Sequence, residues 1–238
     1  MTGREIGRVA ALYRYPVKSM AAERLDAVEV SWNGLVGDRR WAFVRGGTER
    51  MGFPWLTIRE RPGMWRFHPR FVEPDKPDSS MTMVRTPSGV EMEVADPELA
   101  GLLGHGSRVI KQDRGNFDAF PLSIITTQTV EALGGMVGER LDVRRFRPNI
   151  LIDLAGGVPF EEDEWVGRVV RIGAMRARID KRDKRCVLVN VDPDTTEKNH
   201  AVLRAIAGER DARLGVYGTT VEPGWVAAGD SVTIEIVA

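Results

Sequence analysis

Cys186 is the one cysteine in 238 residues, and Lys181, Arg182, Lys184 and Arg185 stand beside it. Positive charge near a thiol favours the thiolate, the form that attacks electrophiles and binds soft metals. A lone cysteine also serves as a small buried apolar residue, and the local sequence leaves both readings open. Other short segments carry side chains suited to an anion. In YPVKS (15–19) the proline ends a strand and leaves Lys18 and Ser19 on the connecting loop, where an ammonium and a hydroxyl can bind a phosphate oxygen. In GDRRW (37–41), Arg39 can fork onto phosphate or a polar heterocycle. In FRPN (146–149), Arg147 and Asn149 flank a proline that fixes the backbone, and the Asn149 amide suits the edge of a pterin-like ring. The DPDT segment (192–195) has turn composition. Each also has an ordinary explanation: a solvated lysine, an arginine paired with Asp38, an edge-strand proline, a structural turn.

Lys+Arg and Asp+Glu both number 34, so the formal net charge is zero. A general nucleic-acid or acidic-membrane binder carries a basic excess, so no such partner is expected, and any anion must sit in a local basic pocket. One cysteine excludes an intrachain disulfide, an iron–sulfur cluster held by several thiolates and a multi-thiolate zinc site. His68, His105 and His200 lie far apart and show no metal-ligand spacing. There is no Gly-x-Ser-x-Gly elbow, Walker loop or dinucleotide fingerprint. The first residues lack the apolar run of a secretion signal, and no stretch approaches the roughly 18 apolar residues of a membrane span. A cytoplasmic protein is expected.

These residues must be held by a mixed, β-rich scaffold. Strands are predicted over 6–15, 25–30, 41–44, 81–84 and 90–94, the last preceded by a Ser88-Gly89 turn. The proline-rich segment 73–80 reads as a loop. Asp96-Pro97 opens a short helix through Leu103. A strand over 122–125 leads into a helix over 127–137 with Val130, Leu133 and Val137 on one face. Strands are predicted over 149–154, 168–179, 187–191, 214–221 and 231–237, and a helix over 197–207 closed by Gly208.

Together and in this order, YPVKS (15–19), GDRRW (37–41), FRPNI (146–150), RCVLVNVDPDT (185–195) and GVY…PG…GD (215–230) resemble MOSC-domain proteins, and among them the amidoxime-reducing components. The resemblance spans nearly the whole chain. It implies an α+β fold, predominantly β: two intimately packed β-barrel-like regions with peripheral helices, divided as an N-terminal MOSC-associated β-barrel region (1–95) and a MOSC domain (96–238). It also implies a molybdenum cofactor, the metal held by the dithiolene of a phosphorylated pterin, with Cys186 as metal ligand and catalytic residue. The family's cofactor-binding positions fall on Lys18, Ser19, Arg39, Thr126, Thr127, Arg147, Asn149, Lys184, Arg185, Cys186 and Tyr217. Lys184 stands where mitochondrial members carry a small hydroxyl residue. The activity implied is reduction of N-hydroxylated compounds. With no cluster ligands in this chain, electrons are expected from a separate ferredoxin-type or flavin protein. MOSC domains also occur in cofactor sulfurases, so a sulfur-carrier or cofactor-handling role with a persulfide on Cys186 is the alternative expectation.

Overall fold

The β-branched and aromatic run near the start forms one long strand in the computed structural model, which describes residues 3–48, 50–104 and 106–235. That strand, β1 (Gly3–Arg14), stops before Pro16. The segment predicted over 25–30 breaks at Asp26 into β2 (Glu23–Leu25) and β3 (Ala27–Ser31). Gly34, at φ 90°, turns the chain into β4 (Gly34–Leu35). β5 (Trp41–Val44) lies where a strand is predicted. β6 (His68–Phe71), β7 (Thr82–Arg85) and β8 (Glu91–Glu93) form a small antiparallel sheet. α1 (Pro97–Leu103) is capped by the Asp96 carboxylate, which accepts from Glu98 N at 2.8 Å. β9 (Arg108–Lys111) then pairs with β5.

β10 (Leu122–Thr126), α2 (Thr127–Val137) and β11 (Ile150–Leu154) make a parallel crossover, the only parallel strand pair named among the described sheets. The chain continues through β12 (Val169–Ile172), β13 (Met175–Lys184), α3 (His200–Arg210), β14 (Arg213–Glu222), β15 (Gly224–Ala227) and β16 (Ser231–Glu235). Seven strands close a barrel in the order β1, β11, β10, β14, β13, β12, β16 and back to β1. Closure depends on β1, which pairs with β11 on one side and β16 on the other. Gly7 sits in both ladders, and a Cβ there would lie 2.2 Å from the Asp153 carbonyl oxygen. No other residue lets the strands approach this closely. A closed barrel has no free edge to aggregate.

The barrel strands share a core that includes Leu12, Ile124, Ile150, Ile152, Val170, Ile179, Val216 and Val232. A second core gathers Val17, Met20, Phe43, Ile58, Trp65, Val84, Leu99 and Val191 beneath the small sheets and α1. α2 and α3 pack over the outside with Phe146 and Val189. The fold is therefore α+β and predominantly β. Four strand pairings run across residue 95: β5 with β9, β3 with β15, β1 with β11 and β1 with β16. No described helix is long and apolar enough to cross a membrane.

Several sequence expectations are corrected. Residues 187–191 do not form a strand; Val187–Asn190 is a 3-10 turn. Tertiary bonds decide this over the β propensity of Val-Leu-Val: Arg145 Nη1 donates to Asn190 O at 3.0 Å, and Leu203 N donates to Asn190 Oδ1 at 2.9 Å. The strand predicted over 168–179 is a hairpin of β12 and β13, bent at Gly173 with φ 56°. The last helix starts three residues later than predicted, because Asn199 caps it by accepting from Ala201 N. It runs past Gly208 and ends at Asp211 in the left-handed region. β4, β6, β9 and β15 have no predicted counterpart. Residues 236–237 of the last predicted strand, and His105, lie outside the described residues.

Candidate functional site

A cleft of about 750 Å³ opens where the turn after β1, the turn before β5, the approaches to β10 and β11, the end of β13 and two residues of β14, Arg213 and Tyr217, meet. It is lined by ten cationic side chains (Lys18, Arg39, Arg59, Arg145, Arg147, Lys181, Arg182, Lys184, Arg185, Arg213) against three carboxylates, Asp118, Asp163 and Asp183. A chain with no net charge has concentrated its positive charge here. Such a cleft attracts anions.

Asp38 organises one wall. It is almost fully buried; Oδ1 accepts from Tyr15 N at 2.7 Å and Oδ2 from Asn149 Nδ2 at 3.0 Å. Its other partner is the Arg39 guanidinium. Arg39 and Arg147 both lie on the Tyr15 ring, at 4.6 and 4.1 Å from its centroid, and Arg147 also reaches the Trp65 ring at 4.8 Å. Two guanidiniums on one ring repel one another. Burial, with Arg39 adding to it, pushes Arg147 down to about 10. Ser19, Arg39 and Arg147 all have positive φ, at 66°, 50° and 51°. Non-glycine residues held there store backbone strain, which concentrates at functional sites. Lys18 donates to Asn116 O at 2.8 Å and pairs with Asp118; its burial lowers its pKa.

Cys186 also lines the cleft, half-buried, in extended backbone immediately before the 3-10 turn. Arg59 Nη2 donates to Cys186 Sγ at 3.5 Å. Arg59 is steadied by its own turn, in which Thr57 N and Oγ1 donate to Glu60 Oε2 at 2.9 and 2.8 Å. The turn carrying Cys186 is pinned to the 143–146 turn by Arg145, whose Nη2 donates to Asp192 Oδ2 at 2.8 Å. Asp192 also accepts from Asp194 N and Thr195 N, so the DPDT segment is a structural lock. Arg185 donates from Nε to Leu214 O and from Nη1 to Phe146 O, both at 2.7 Å, and pairs with Asp183 at 2.8 Å. Tyr217 lies within hydrogen-bond reach of Asp183 and stacks on Phe120, with ring centroids 6.0 Å apart.

Nine of the eleven residues expected from sequence line this cleft: Lys18, Ser19, Arg39, Arg147, Asn149, Lys184, Arg185, Cys186 and Tyr217. Asn149 spends its amide internally, accepting from Ser123 N at 3.1 Å and donating to Tyr13 O and Asp38, so it holds the wall together. Thr126 and Thr127 are not brought to the cleft. The Thr126 hydroxyl caps α2 and donates to the buried Glu162 Oε2 at 3.0 Å. Thr127 lines a separate groove beside Tyr13, Val130 and Leu141. Sequence reasoning missed Arg59, Phe117, Asp118, Phe120 and Asp183, and it counted Lys181 and Arg182 only as basic surroundings of Cys186. Asp183 and Lys181 lay within the basic run and could have been found there. Arg59 and Asp118 come from segments with no motif of their own. Among the described residues no three His, Cys, Asp or Glu side chains gather as a metal site. A metal at Cys186 would therefore bring most of its ligands with it.

The Nη2 atoms of Arg147 and Arg185 are buried and have no hydrogen-bond partner. Unsatisfied buried cationic donors are costly. Two of them on residues that line a basic cleft with one soft sulfur donor fit an anionic ligand that carries its own metal.

A family model described as "MOSC domain" matches residues 111–233, and one described as "MOSC N-terminal beta barrel domain" matches residues 6–113. The chain is 28% identical to Molybdenum cofactor sulfurase of Drosophila grimshawi, over 92% of this chain and 34% of that protein. It is 30% identical to Mitochondrial amidoxime-reducing component 1 of Mus musculus, over 48% of this chain and 36% of that protein. It is 35% identical to Mitochondrial amidoxime reducing component 2 of Homo sapiens, over 33% and 22%. The chain thus spans between 22% and 36% of the length of these curated relatives. Among solved structures, the YUAD protein of Bacillus subtilis matches over all of both chains at a TM-score of 0.54 and 13% identity, a likeness of fold alone.

Proposed function

This chain belongs to the MOSC domain family, and we propose that its basic cleft binds a molybdenum cofactor and uses it to reduce N-hydroxylated compounds. The observation that carries the reading is that the Cys186 thiol lines the same cleft as Arg147 and Arg185, whose Nη2 atoms have no hydrogen-bond partner. Lys18, Ser19, Arg39, Arg147 and Arg185 would hold the phosphate and polar edges of the pterin, because ammonium, hydroxyl and guanidinium donors converge there. Cys186 would supply a thiolate to the metal, a soft donor suited to it. Tyr217 and Phe120 would form a flat wall. When bound, the cofactor supplies the two-electron chemistry at the metal, and the protein supplies binding and orientation. Electrons would come from a separate iron–sulfur or flavin protein. Relatives named for amidoxime reduction support this direction.

A second reading has its own support. The match to Molybdenum cofactor sulfurase runs over 92% of the chain, farther than the matches to amidoxime-reducing components. In that reading Cys186, within reach of Arg59, carries a persulfide and hands on sulfur or cofactor. Native mass spectrometry of protein from a cofactor-making host tests both. A bound pterin with molybdenum, plus turnover of a hydroxylamine or amidoxime probe, supports the reductase. Added sulfur on Cys186 without pterin overturns it in favour of the carrier.

A further inference from the structure

The titratable groups of the cleft differ sharply in their surroundings. Asp118 is well exposed and paired with Lys18. Asp163 is pinned between Arg182, at 3.0 Å, and Arg210. Neither His68 nor His200 lines the cleft. Asp183 is different: its side chain is 2% exposed, it lines the cleft, and it meets both Arg185 and the Tyr217 hydroxyl. Burial pushes its carboxyl up to about 6, against the opposing pull of Arg185, Tyr217, Arg39 and Lys181. These four groups reach it from the residues after β13, from β14, from the turn before β5 and from β13 itself. Burial also holds the Tyr217 phenol well above its ordinary range, so it stays protonated and able to donate. Lys181 and Tyr217 are cross-strand partners, and both touch the Phe120 ring, which fixes the phenol against the cleft wall.

We propose that Asp183 and Tyr217 form a proton relay that protonates the oxygen leaving an N-hydroxylated substrate. The proposal rests on the reductase reading above. Converting such a compound to its parent amine breaks the N–O bond, consumes two electrons and two protons, and releases water. The electrons come from an external one-electron carrier protein of the iron–sulfur or flavin class. The Tyr217 hydroxyl gives its proton to the departing oxygen and recovers one from the Asp183 carboxyl. Solvent supplies the second proton, to nitrogen, and reprotonates Asp183. A buried acid poised near neutrality is what proton transfer to a leaving group requires. Asp183 acts through Tyr217, so it is a positioning and supply residue, while Tyr217 meets the substrate.

The test uses the protein purified from a cofactor-making host, as wild type, Asp183→Asn, Asp183→Glu and Tyr217→Phe. Molybdenum per chain, the pH profile of reduction of an N-hydroxylated probe with a chemically reduced dye as electron source, and carboxyl infrared spectra between about pH 5 and pH 8 are recorded. Expected are unchanged molybdenum in Asp183→Asn, a fall in kcat of about a hundredfold at constant KM, loss of the decline in rate at high pH, and partial recovery in Asp183→Glu. The wild type minus Asp183→Asn infrared difference shows one carboxyl losing its proton over that range. Wild-type kcat and pH profile in Asp183→Asn, or loss of its molybdenum, would overturn the relay, as would the absence of a titrating carboxyl band. A molybdenum-loaded wild type that reduces no N-hydroxylated probe would instead overturn the reductase reading, and the relay with it.

Discussion

Asn149 donates from Nδ2 to Asp38 Oδ2 at 3.0 Å, joining a turn before β5 to the start of β11 in a place solvent does not reach. The same carboxylate holds Arg39, and Arg39 Nη2 donates to Arg147 O at 3.3 Å. The position of Arg39 therefore depends on one buried acid, while Arg147 is also held by Nη1 donating to Met20 O at 2.8 Å. Asp38→Ala removes the partner of a buried guanidinium and leaves the Tyr15 amide unbonded. The expected cost is about 3 kcal/mol of stability, with weaker anion binding as Arg39 loses its orientation. Urea melts and phosphate-competition binding check it; an unchanged midpoint would show that the wall is held elsewhere.

Cys186 makes no backbone-supporting side-chain bond, only the contact from Arg59. Cys186→Ser should leave the melting temperature within a few degrees of wild type, since substitutions away from core and caps are usually within about 0.5 kcal/mol. It should also abolish reduction of N-hydroxylated probes. Retained turnover in a folded Cys186→Ser protein would remove the thiol from the chemistry.

The two threonines before and at the start of α2 separate structure from function. Thr126→Val loses the helix cap and a donor to Glu162, and should cost about 1–2 kcal/mol. Thr127→Ala should change stability little, because its hydroxyl is buried without a partner. Neither should alter cofactor occupancy, since neither reaches the cleft. Loss of pterin in a folded Thr127→Ala protein would contradict the placement of the site.

The stability contributed by two buried carboxyls should fall as the solution passes from acid toward neutral. Burial raises the carboxyl of Glu162, and that of Asp183 from 3.8 to about 6. A group whose folded pKa lies above its unfolded value stabilises fully below the unfolded value, and that contribution is lost as pH rises through the folded one. For Asp183 the window runs from about 4 to about 6. Thermal melts across this range, with Glu162→Gln as the comparison, should show a shallower decline in the variant. Parallel curves would mean that Glu162 does not take up its proton on folding.

Much of this was legible in sequence because local chemistry agreed with the fold. Asp96-Pro97 capped its helix, Trp41 to Val44 made a short apolar strand run, and Thr127 to Val137 carried its apolar face on the helical period. The turn after Cys186 was illegible, because Val-Leu-Val has strand propensity and only Arg145 and Asn190, with partners far along the chain, make it a turn. Barrel closure was likewise non-local: nothing near Gly7 states that Asp153 will lie against it. In the site, Lys18, Arg39, Arg147 and Arg185 sat in motifs. Arg59 and Asp118 did not, since their segments meet the cleft only through tertiary packing.

The most direct test is the molybdenum and pterin content of protein made in a cofactor-producing host, measured for wild type and for Arg147→Ala. Arg147 supplies a buried donor with no partner, so the account predicts near-stoichiometric molybdenum and pterin in the wild type. It predicts a reduction of about tenfold or more in cofactor retention in the folded variant, the order expected for losing a charge-assisted contact to phosphate. Wild-type protein that is folded yet free of both molybdenum and pterin, or an Arg147→Ala protein that retains them in full, would contradict it.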